Sequence, residues 1–96
     1  MTTVILPSAR EDIAAGSAFY EHKERGLGAY FQESLFSDID SLNLYAGVHR
    51  KVFGYHRLLS ERFPYATYYS VEAEVIYVRA VLDCRRDPAW LRDRVK

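Results

Sequence analysis

Hydrophobic residues change their spacing along this chain, and each change predicts an element. Thr2 to Leu6 is a short β-branched run closed by Pro7-Ser8, which predicts an N-terminal strand. Ser8 stands three residues before Glu11, the capping-box spacing, so a helix is expected from Ala9. Ile13, Gly16, Ser17 and Tyr20 recur at helical spacing, a small-sided stripe that lets the backbone approach a neighbour closely. Lys23-Glu24-Arg25 places basic charge at the helix end, and Gly26-Leu27-Gly28 supplies residues able to take positive φ. Phe31, Leu35, Ile39 and Leu42 then recur at i, i+4, i+8 and i+11 with acidic residues between them, a second helix that forms a hairpin with the first.

Periodicity lapses from Tyr45 to Gly54, which reads as a loop, and a strand is expected from Tyr55 to Glu61. The stretch from Arg62 to Pro88 organises the rest. Alternation puts Tyr65, Thr67, Tyr69 and Val71 on one strand face and Ala66, Tyr68 and Ser70 on the other, and aromatics on both faces predict an interior strand. After a short turn, Val75 to Leu82 is apolar on both faces with Arg79 the one interruption, as in a strand covered on both sides. Beyond Pro88, Ala89 to Lys96 is expected to form a short helical turn capped by Asp87, with Trp90 packed back on the domain. The order predicts a single α+β domain over residues 1–96, with an N-terminal strand and a helical hairpin packed on a twisted, mainly antiparallel sheet. The sheet face away from the hairpin is expected to stay open and to carry several large aromatics.

Length allows one domain, and 49% hydrophobic residues allow it a core. The formal net charge of zero hides an asymmetry: residues 1–48 hold three basic and seven acidic side chains, residues 49–96 ten and six. The C-terminal half then either presents a basic face to an acidic protein or nucleic acid, or disperses its charges over a solvated surface. No apolar run approaches a membrane span and nothing resembles an export signal, so the expected compartment is the cytoplasm. The single cysteine, Cys84, excludes an internal disulfide and reads as inert packing at a strand end. His22 and His49 lie in different segments without nearby carboxylates, so no metal site is expected. Tyr65, Tyr68 and Tyr69 read as core and sheet-face residues, not as stacking platforms for nucleobases.

Several motifs in order carry a family resemblance. They are a strand ending in Pro, Phe19-Tyr20, Gly26-Leu27-Gly28, Phe31, Arg62-Phe63-Pro64-Tyr65, Tyr68-Tyr69, and Arg85-Arg86-Asp87-Pro88. Over nearly the whole chain this resembles the ParE/RelE superfamily, the toxins of bacterial type II toxin–antitoxin systems, and is closest to the ParE branch of plasmid-stabilisation type. The resemblance implies the same α+β fold, growth inhibition, a cognate antitoxin as partner, DNA gyrase as target and no cofactor. The alternative it implies is a RelE-like mRNA interferase, an endoribonuclease acting on mRNA at the ribosome.

Whether the chain is an enzyme turns on which groups could do that chemistry. Ribonucleolysis needs a base, an acid and cations for the phosphate, and the candidates are His56, Arg57, Arg62, Arg85 and Arg86. No tyrosine or histidine follows position 77, and Asp83 stands where many relatives have a histidine. A carboxylate there repels a scissile phosphate, which favours a toxin acting by binding. For contact with target or antitoxin the candidates are Arg57, Arg62, Arg79, Arg85, Arg86 and Trp90. Two plainer readings stand beside these: His56 as a hydrogen-bonded strand residue, and Arg85 and Arg86 paired with Asp83 and Asp87.

Overall fold

A computed structural model describes all of residues 1–96. The elements are β1 (Thr2–Ile5), α1 (Pro7–Lys23), α2 (Leu27–Tyr45), β2 (Lys51–Val52), β3 (Tyr55–Leu59), β4 (Tyr65–Glu72), β5 (Val75–Asp83) and α3 (Pro88–Val95). They form one five-stranded sheet in the order β1-β5-β4-β3-β2. Only the β1–β5 pairing is parallel. The predicted hairpin, interior strand and α+β class are all present.

The helix starts differ from expectation. α1 begins at Pro7, whose fixed φ suits a first helical position, and Ser8 does not cap it. The Ser8 hydroxyl donates instead to the Arg79 carbonyl of β5 at 3.1 Å. Gly26 has φ +89 and turns the chain, but Gly28 belongs to α2. Glu21 serves as the cap that α2 lacks locally, its carboxylate accepting from the backbone N–H groups of Gly26 and Gly28 at 3.1 and 3.0 Å.

The hairpin packs its apolar stripe on one sheet face. Ile13 and Tyr20 of α1 and Phe31, Leu35, Ile39 and Leu42 of α2 are buried against Tyr69, Ile76, Val78 and Val81. Phe31 sits edge-on to Phe63 and Tyr65, with ring centroids 5.1 and 4.8 Å away. The residue read as an interruption explains how β5 serves both faces. Tyr68 pairs with Ala80 and Tyr69 with Val78, so Arg79 is the extra residue of a β-bulge. The bulge resets the alternation, sending Ile76, Val78 and Val81 to the hairpin and Ala80 and Leu82 to the opposite face.

That opposite face departs from the open surface expected. α3 lies across part of it, with Leu91 and Val95 buried on Ala66, Tyr68, Ala80 and Leu82. Trp90, expected to pack back, is 36% exposed, because Leu91 and Val95 occupy the inward positions of this two-turn helix. Asp87 does cap α3, accepting from the Trp90 N–H at 3.3 Å. The predicted Tyr45–Gly54 loop also hides a strand: β2 pairs Lys51 with His56 and Val52 with Tyr55 around a tight turn in which Phe53 and Gly54 both have positive φ.

Candidate functional site

The candidate residues divide among three places. Arg57 and Arg79 lie on the α3 side of the sheet, beyond the area α3 covers. Arg57 pairs with Tyr68 in the β3–β4 ladder, and the Arg79 guanidinium stands over the Tyr55 ring at 4.7 Å. Tyr55, with Phe53 stacked on Tyr68, makes a half-buried aromatic floor beside them. Burial pushes the Tyr68 hydroxyl and the Cys84 thiol up in pKa, and the Arg57 charge opposes both shifts. A thiol raised in this way is a poor nucleophile, as expected of inert packing.

His56 and Arg62 lie on the hairpin side. The His56 ring stacks on Tyr69, and its Nδ1–H donates to the His49 carbonyl at 2.6 Å. The Tyr69 hydroxyl accepts from the Gly47 N–H at 3.0 Å and also bonds His49 Nδ1, so the two histidines clasp one buried tyrosine. Burial, and after it the neighbouring His56, lowers the His49 pKa. Arg62 bonds the Tyr30 hydroxyl and lies over that ring. His56 therefore stands on the opposite face from its neighbour Arg57, as strand alternation requires. The five ribonuclease candidates do not converge on one point.

Arg85 and Arg86 follow the end of β5 and have different surroundings. Arg85 makes a fork to Asp83, with Nε to Oδ1 at 3.0 Å and Nη2 to Oδ2 at 2.7 Å. This bond holds the Asp83 carboxyl below the usual range and Arg85 more firmly protonated. The plainer reading thus holds for Arg85. Arg86 has no ion pair and lies flat on the Trp90 indole, 3.7 Å from the ring centroid.

Arg86 and Trp90 form one wall of a cleft of about 390 Å³ between α1, the end of β5 and α3. Phe19 and Tyr65 line it opposite, and Gly16 keeps its floor low. At its base Asp12 accepts from the Val81 N–H at 3.0 Å and pairs with Arg94, tying α1, β5 and α3 together. Burial raises the Asp12 pKa despite these partners. Sequence reasoning did not single out Asp12, Phe19 or Arg94 for this place. The available signal was the Asp12, Gly16, Phe19 spacing on one helix face.

No protein-family model and no curated protein sequence matches the chain. No helix is long and apolar enough to cross a membrane. Among solved structures, a chain of the chromosomal ParDE TA system from P. aeruginosa superposes with a TM-score of 0.73 at 18% identity, over 84% of this chain and 92% of that one. The fold expected from the resemblance is the fold observed, a ParE-like α+β domain.

Proposed function

We propose that this chain is the toxin of a type II toxin–antitoxin module, acting in the cytoplasm on DNA gyrase and neutralised by a cognate antitoxin. The observation that carries the reading is the likeness in fold, over most of both chains, to a ParDE system. Action by binding is favoured over cleavage by the separation of His56 from Arg57, Arg85 and Arg86. A general base has to stand within hydrogen-bond reach of the hydroxyl it activates while the cations hold the adjoining phosphate.

The target surface in this reading is the basic, aromatic C-terminal region: Arg57 and Arg79 on the sheet, with Arg86 and Trp90 at the cleft. Induced expression in bacterial hosts tests it by scoring growth, plasmid supercoiling and mRNA integrity together. Arrest with altered supercoiling and intact mRNA is expected. Codon-positioned mRNA cleavage would move the chain to the ribosome-dependent ribonucleases, and unaffected growth in every host would remove the toxin assignment. Within the arginine pair, Arg86→Glu is expected to relieve growth inhibition and weaken antitoxin binding more than Arg85→Glu, because Asp83 already engages Arg85. Antitoxin association should depend more on salt in the parent than in the Arg86→Glu variant. Equal effects of the two reversals would show that the stacked Arg86 has no special part.

A further inference from the structure

A second groove, rich in carboxylates, lies away from every residue placed in the target surface and takes in Arg62 at its rim. It measures about 560 Å³ and runs between α2 and the end of β3. Tyr45 lines its α2 side, 54% exposed; Leu59, 53% exposed and paired with Ala66, borders it through its backbone and turns its side chain to the Arg57 face. Glu33, Asp38 and Glu61 supply three carboxylates. The one guanidinium there, that of Arg62, is occupied with Tyr30 at the rim, and the His49 ring nitrogen is held by Tyr69. Asp38 Oδ2 is buried and makes no close hydrogen bond, and the nearby Ser60 hydroxyl offsets only part of the cost of burying the carboxyl. A buried, unpaired carboxylate oxygen is costly, and a cationic donor reaching it removes the cost.

The adjoining strand edge says what kind of molecule would bring that donor. β2 pairs only with Tyr55 and His56 of β3, so the outer edge of β3 is open beyond Arg57. The Ser60 N–H bonds inward to the Tyr65 carbonyl and the Arg57 N–H outward to the Arg50 carbonyl. By that alternation the N–H and C=O of Leu59 face outward, toward the missing neighbour. An open edge pairs with backbone, and alternate side chains of the added strand then point to one side.

We propose that this groove binds an extended peptide segment paired along the Leu59 edge, which places lysine or arginine side chains toward Asp38 and Glu61 on the α2 side and the alternate aliphatic ones on Leu59 across the edge. Charge complementarity sets the sign of the occupant, and the open Leu59 backbone makes it a polypeptide and not a free cation. The site does not depend on the toxin reading.

Two capped pentapeptides test it by NMR titration of the ¹⁵N-labelled full chain: acetyl-Leu-Arg-Leu-Arg-Leu-amide and its counterpart with glutamate at both arginine positions. The basic peptide is expected to give saturable shifts at Ser34, Asp38, Ser41 and Leu59 to Arg62. Its affinity should fall about fivefold or more in Glu61→Gln and in Asp38→Asn, as loss of a charge-assisted contact implies. Glu61 is exposed, so its variant remains informative if Asp38→Asn perturbs the fold. Equal binding of the acidic peptide, shifts centred on Trp90, or no saturable shift up to about 10 mM peptide would overturn the proposal.

Discussion

Thr67 shows how closely a side chain's partners bear on stability. It is a fully buried residue of β4, and its Oγ1 has no hydrogen-bond partner. Valine has nearly the same shape without the hydroxyl, so Thr67→Val is expected to raise stability by about 1 kcal/mol. For a domain of this size that is a melting-temperature increase of roughly 4–8 °C, measurable by circular dichroism. An unchanged or lower melting temperature would mean that the hydroxyl finds a partner in solution. Alternation assigned Thr67 to the correct strand face, yet its missing partner depends on what the hairpin sets above it. Arg79 is similar: it stood out as polar in an apolar run, but only the β4–β5 register makes it a bulge.

Among the elements, the α1–α2 hairpin depends on close approach at Gly28. A Cβ added there would lie 2.6 Å from the Ser17 carbonyl oxygen, a backbone atom that cannot swing aside. Ser17 Oγ also donates to the Gly28 carbonyl at 3.1 Å, locking the helices at that point. Gly28→Ala should therefore cost about 1–3 kcal/mol through forced separation of the helices. The check is a lower urea midpoint with an unchanged m value; a full-strength midpoint would show that the hairpin opens freely. The hairpin itself was legible because apolar residues at helical spacing flank a glycine turn. The capping of α2 by Glu21 was not, since that carboxylate comes from the preceding helix. The C-terminal turn was legible but its anchor and its coverage of the sheet face were not, because Trp90, Leu91 and Val95 are all apolar and only the packing decides which points inward.

Over the whole molecule, burial of carboxyl groups sets a pH dependence. Burial raises the Asp12 and Asp38 pKa values, so the folded state binds protons there that the unfolded chain has released. Their contribution is fully present below the unfolded carboxyl pKa near 4 and is lost as pH rises through the folded values. Asp83 has the opposite sign: its pKa is lowered, first by the Arg85 hydrogen bond, so its contribution is present above the unfolded pKa and lost as pH falls through the folded one. Urea titrations from about pH 4 to about pH 7 should show the parent losing stability as Asp38 ionises, and Asp38→Asn losing less. Identical pH profiles for the two proteins would mean that water reaches the Asp38 carboxylate freely.

The local patterns determined by themselves that the chain forms a helical hairpin and interior strands, because helical and strand periodicities and glycine turns are properties of near neighbours in sequence. They also carried the likeness to ParE-type toxins, which the fold matches. The candidate arginines were visible as a basic C-terminal half, but their grouping was decided by the tertiary structure. Strand alternation sets His56 and Arg57 on opposite faces, the bulge brings Arg79 over Tyr55, and Asp83 engages Arg85 while Arg86 lies free on Trp90. Of these only Arg79 over Tyr55 joins residues far apart in sequence, through a strand register that no spacing encodes; the others are local contacts among alternatives that neighbouring residues left open, and the fold selects between them.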